Sequence, residues 1–151
     1  MAYWELGPSS MLYVWDRTDY LRAFNFNGVR INTNPVALSV QRHLDIGGLS
    51  ISSNGDNPSS GIVWAMTAES VSSTVDAVGY IVPGVFRAFT AATTNQPELT
   101  EIYNSTTCPA DSMGNFTKFS NPVVANGKVY VITQSNKLRV YGLLPQPRSC
   151  R

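Results

Sequence analysis

Asn121 to Leu144, NPVVANGKVYVITQSNKLRVYGLL, holds three short runs of strand-forming residues and two turns within twenty-four positions. Asn126-Gly127 divides PVVA from KVYVIT, and both residues tolerate the positive φ that a two-residue type I′ hairpin turn demands. Gln134 to Asn136 then turns the chain into KLRVYGLL. Three short strands on tight turns cannot bury both of their faces alone, so the stretch calls for further copies of itself.

The pattern recurs in register. GKVYV at 127–131 lines up with GIVWA at 61–65 and, less strictly, with SMLYV at 10–14, so Tyr13, Trp64 and Tyr130 are equivalent, each three residues after a turn residue. Gly61 and Gly127 are the turn residues of the two closer copies. Downstream, LRVY at 138–141 matches FRAF at 86–89 and LRAF at 21–24, which makes Arg22, Arg87 and Arg139 equivalent. Eleven residues separate Tyr13 from Phe24 and Tyr130 from Tyr141, whereas the middle copy carries an insertion from Thr67 to Pro83.

The chain therefore reads as an all-β repeat protein of about three four-stranded antiparallel blades of the β-propeller kind, at approximately 2–33, 49–104 and 121–144, with a tail at 145–151. A blade of that kind takes roughly 40–50 residues and closed propellers hold about four to eight, so 151 residues make a single partial propeller. Charged residues are 14% of the chain, under the roughly 25% of an average soluble protein, which suits β-structure rich in Ser, Thr, Asn, Val and Tyr. A net charge of +1 gives no electrostatic reason to expect nucleic acid or an anionic membrane surface as partner. No apolar run is long enough to span a membrane, and MAYWELGPSS lacks the basic-then-apolar layout of a signal peptide.

In chain order, strands are expected at 2–6, 11–16, 20–25 and, after the Asn27-Gly28 turn, 29–33, with 34–48 as a connecting loop holding the lone His43. Strands at 49–53, 62–67, 85–90 and 99–103 follow, then a loop at 104–117 and the three strands of the opening stretch, whose blade lacks a fourth, outermost strand. Cys108 and Cys150 lie 42 apart in loop-like surroundings; a disulfide pinning the tail in an oxidising compartment and two unrelated thiols are both open readings.

GIVWA, GVFRAF, KFSNPVVANGKVYV and LRVYGLL together resemble the repeats of the PQQ-like (quinoprotein-type) β-propeller family, and the resemblance is closest to the C-terminal part of longer members. It implies a periplasmic or secreted propeller and, in some members only, a bound pyrroloquinoline quinone with calcium and alcohol dehydrogenase activity. In those dehydrogenases a vicinal Cys-Cys pair and a Trp sandwich the quinone, and this chain has no Cys-Cys pair. Its AATTN at 91–95 lacks the Gly of the family's AxTGxxxW ending, and its carboxylates are scattered at turns and strand ends. The Asn54-Gly-Asp-Asn57 segment reads as a hairpin loop rather than part of a six-to-eight-oxygen calcium site. No cofactor is expected for this chain; PQQ and calcium belong to the alternative, in which it is part of a dehydrogenase.

A single histidine with no Gly-x-Ser-x-Gly elbow and no Cys/His constellation argues against a hydrolytic triad, and His43 reads as a solvated loop residue. Tyr13, Trp64 and Tyr130 read as inter-blade packing before a ligand cage, and the three arginines as ion pairs before a ring of cations. Asn104-Ser-Thr106 and Asn115-Phe-Thr117 fit the glycosylation pattern, which this composition also produces by chance. The loop from Asn104 to Lys118 holds Asp111 and Lys118, which read either as a salt bridge pinning the loop or as a site at the mouth of an axial channel. Three blades leave two apolar flanks open, to be covered by remaining blades, by a partner protein or by further copies of the chain. The function expected on these grounds is a non-catalytic binding or scaffolding module.

Overall fold

A computed structural model of the chain describes residues 1–69, 77–91, 97–143 and 150. Part of the insertion (70–76), the AATTN segment beyond Ala91 and the tail apart from Cys150 lie outside the described residues. β1 (Ala2–Trp4), β2 (Ser10–Trp15), β3 (Asp19–Phe26) and β4 (Ala37–His43) follow one another as an antiparallel meander in the first sheet. β5 (Ile46–Ser52), β6 (Ile62–Ala68) and β7 (Gly84–Thr90) begin the second. The two-residue β8 (Glu98–Leu99) crosses back to run parallel with β4, and β9 (Glu101–Asn104) completes the second sheet beside β7. β10 (Val123–Ala125), β11 (Lys128–Thr133) and β12 (Lys137–Gly142) make the third. The described residues contain no α-helix, and none of the three sheets closes on itself.

The sheets pack face to face in chain order. Side chains alternate across a strand, and β6 shows the consequence: Val63 and Ala65 join a core with Tyr13, Trp15 and Leu21 of the first sheet, while Met66 and Ala68 join another with Val129 and Val131 of the third. The middle sheet is thus buried on both sides, and β7 is buried at every position but its last. Each large side chain taken out of water in this way contributes roughly 1.5–3 kcal/mol. The first strands of the sheets are neighbours, β1 against β5 and β5 against β10. Cys108 and Cys150 form a disulfide rather than two unrelated thiols, which ties Cys150 to the loop that leaves the second sheet.

The Asn126-Gly127 turn forms as read, with both residues at positive φ, 51° and 67°. Gly61 differs from its repeat equivalent. It directly follows the turn closed by the Ser60 N–H on the Asn57 carbonyl, but its φ is not positive; a Cβ there would run into the Trp4 ring and the Ala91 side chain, so packing rather than backbone conformation requires glycine.

The fourth strand of the first sheet is not 29–33. Asn27 turns the chain by accepting the backbone N–H of Val29 and of Arg30 on its side-chain oxygen (3.0 and 2.9 Å), but only one bridge, Phe26 to Ile31, follows. The returning strand begins after Pro35, where the Val36 N–H donates to the Ala23 carbonyl at 2.8 Å, and it runs to His43. The segment read as a connecting loop is therefore largely strand, and His43 ends β4 with its ring edge-on to Trp15, centroids 5.3 Å apart.

Candidate functional site

Stacking in chain order gives each sheet a rear face, toward the preceding sheet, and a forward face, toward the next. Tyr13 is forward on the first sheet and fully buried. Trp64 is forward on the second, stacked on Phe86 with centroids 5.6 Å apart, and its Nε1–H donates to Ser52 Oγ at 2.9 Å. Tyr130 is forward on the third and partly buried.

The third forward face is largely apolar, with the exposed Lys128 at the end nearest the Asn126-Gly127 turn. Cross-strand pairing makes one row of Val123, Tyr130 and Val140 and a second row of Ile132 and Leu138. Val123 is 57%, Ile132 53%, Leu138 60% and Val140 50% exposed, whereas Met66 and Phe86, which pair at the corresponding place in the second sheet, are 0% exposed. The rear face of the first sheet is the second uncovered surface. There Tyr3, Leu12 and Phe24 form one row and Val14, Arg22 and Leu38 the next. Contiguous apolar patches of this kind on soluble proteins mark interaction sites.

The recurrent arginines all lie on rear faces. Arg22 pairs with Asp19 at 2.9 Å, and that bond, with the Tyr20 N–H, holds the Asp19 carboxyl below its ordinary range. Arg87 is buried, donating to Glu101 at 2.8 Å and to Thr67 Oγ1 at 2.9 Å. Arg139 sits opposite Val131, its Nε buried without a hydrogen-bond partner among the described residues. Of the two loop charges, Asp111 closes the short turn Pro109–Asp111, and its backbone carbonyl accepts the Tyr141 hydroxyl at 3.0 Å. Burial, followed by the Asp111 charge, holds the Tyr103 hydroxyl far above its ordinary range, and burial pushes Tyr141 up to about 12. Lys118 instead lines a cavity of about 390 Å³ with residues 77–81, Phe116, Thr117 and Gln134. No ion pair joins Asp111 to Lys118 among the described residues.

A smaller cleft of about 270 Å³ opens beside β4 and β8, lined by Val40, Gln41, His43, Phe89, Glu98, Leu99, Thr100 and Glu101. Burial, and then the Arg87 charge, lower the His43 imidazole to about 4, so at neutral pH it is an uncharged ring. Glu101 is spent on Arg87 through one oxygen and on Asn104 Nδ2 through the other, both at 2.8 Å.

No three of His, Cys, Asp and Glu among the described residues lie close enough to hold a metal ion, and the two cysteines are joined to each other across 42 residues rather than side by side. No helix among the described residues is long and apolar enough to cross a membrane. No protein-family model, curated protein or solved structure matches the chain.

The forward ladder was signalled in the sequence by the repeat equivalence of Tyr130 with Tyr13 and Trp64, which puts all three on the same face of their sheets. The His43 cleft carried no such signal, since it depends on β8 crossing to the first sheet.

Proposed function

We propose that this chain is a non-catalytic binding or scaffolding module, a segment of a PQQ-like β-propeller working outside the cytoplasm and engaging its partners through the two uncovered sheet faces. The carrying observation is the apolar ladder on the forward face of the third sheet, where Val123, Ile132, Leu138 and Val140 are half or more exposed while Met66 and Phe86, the second-sheet equivalents of Ile132 and Leu138, are fully buried. The fan of sheets with adjoining first strands supports the propeller reading, and the Cys108–Cys150 disulfide supports an oxidising location. The test is reconstitution with PQQ and calcium, followed by dye-linked assay over a panel of alcohols. The expected result is no bound-quinone absorbance and no dye reduction; quinone-dependent turnover would sink the non-catalytic reading in favour of a dehydrogenase.

A further inference from the structure

We propose that the forward face of the third sheet docks on the rear face of the first sheet of a second copy of this chain, so that two chains close head to tail. The inference rests on the reading of these faces as docking surfaces and names their occupant.

The chain already contains this interface twice. At the first junction Trp15 and Leu21, forward, meet the rear-facing Val63, Ala65 and Phe89, and the Phe89 ring lies edge-on to Trp15 at 5.5 Å. At the second, Met66 and Phe86, forward, meet the rear-facing Val129, Val131 and Tyr141, and the Tyr141 ring lies 4.4 Å from Phe86. Register carries both sets of positions to the uncovered faces. Trp15 and Met66 correspond to Ile132, and Leu21 and Phe86 correspond to Leu138. On the rear side Val63 and Val129 correspond to Leu12, Ala65 and Val131 to Val14, and Phe89 and Tyr141 to Phe24. The chain thus owns one unmet forward face and one unmet rear face, each continuing an interface it has already built. Docked in the same way, Phe24 of one copy covers Ile132 and Leu138 of the other. The rear-face cation is no obstacle, because Arg22 is held by Asp19 much as Arg87 is held by Glu101 inside the first junction.

Head-to-tail contacts form rings when the rotation closes and filaments when it does not. Two chains bring six sheets together, within the roughly four to eight that closed rings of this architecture hold. A face-to-face dimer would instead place two forward faces together, an arrangement with no counterpart inside the chain.

The test uses Leu138→Glu on the forward face and Tyr3→Glu on the rear face, both exposed positions, with circular dichroism confirming that each variant folds. Light scattering on a sizing column should give the wild type twice the 16.5 kDa of one chain. Each variant alone should fall to the single-chain mass, and an equimolar mixture of the two should return to the doubled mass, because each variant supplies the face that the other has lost. A Tyr3→Glu variant that stays dimeric while Leu138→Glu does not would overturn head-to-tail docking, as would a mixture that remains monomeric. If the wild type is monomeric at every concentration, the second-copy inference fails. Binding of a hydrophobic dye to that monomer, reduced by Leu138→Glu, would then leave the docking-surface reading standing, and no dye binding would remove it as well.

Discussion

Leu21 and Leu138 occupy the same repeat position, opposite Trp15 in β2 and Ile132 in β11, and differ in what lies over them. Leu21 is 0% exposed beneath the second sheet and Leu138 is 60% exposed. Truncating Leu21 to alanine removes a fully buried isobutyl group and leaves a cavity that the neighbouring rings cannot fill, a loss of about 3 kcal/mol within the usual range of roughly 2–5. Truncating Leu138 loses only the two-fifths of its surface that is shielded and opens no cavity, about 1 kcal/mol or less. The gap of about 2 kcal/mol is more than a tenfold difference in the unfolding constant. Urea titrations of wild type, Leu21→Ala and Leu138→Ala, followed by tryptophan fluorescence at a concentration where the chains are single, measure both values with equal m slopes. Costs within 1 kcal/mol of each other would refute the covered-and-uncovered picture of the two positions.

Replacing Cys108 and Cys150 together with serine frees a 42-residue loop, and the chain-entropy relation puts the loss at about 4 kcal/mol; a midpoint shift worth less than 1 kcal/mol would show that the bridge does not constrain the unfolded chain. His43 has a folded-state value of about 4 against an ordinary 6.5, so its contribution is unchanged above 6.5 and is lost as the pH falls from 6.5 to 4, where the unfolded chain takes a proton and the folded one does not. With the ring only partly shielded from solvent, that loss is roughly 1–2 kcal/mol. His43→Gln should flatten the wild-type dependence over that window, and parallel curves would contradict the assignment. Gly61→Ala should cost about 1–3 kcal/mol by forcing the Trp4 ring aside, and Gly127→Ala about 1 through its positive φ alone; thermal melts that rank them in the opposite order would reverse the roles given to the two glycines.

Most of the sheet framework was legible because it rests on local chemistry. The Asn126-Gly127 turn, the apolar alternation on either side of it and the matching spacing of ring and arginine in three copies are encoded within a few residues of one another. β4 escaped notice for a physical reason. Its inward positions are the small Ala37 and the polar Ser39, whose Oγ accepts the Leu21 N–H at 3.0 Å across a register shift, while its larger apolar residues Leu38 and Val40 point outward. The segment therefore lacks the large inward apolar residues that mark a strand, and with Pro35, Gly47 and Gly48 around it reads as a loop. Gly61 reads as the equivalent of Gly127 because their neighbours match, and only the approach of Trp4 from another strand shows that packing, not a positive φ, requires glycine there. The cleft at His43 needs the crossing of β8 and the ion pair between β7 and β9, all set by residues distant in sequence. The two uncovered faces were legible as soon as the copies were counted, since the ends of any open stack of repeats lack a neighbour.

The bridge between Cys108 and Cys150 also decides how the molecule carries load. The whole third sheet lies inside the covalent loop, so tension applied at residue 150 passes through the sulfurs to Cys108 and bypasses β10, β11 and β12. Stretched end to end, the oxidised chain keeps those 42 residues, about 140–150 Å of contour, out of the extension. Reduction releases that length and places the third sheet in the line of force, held to the rest of the stack through its rear face.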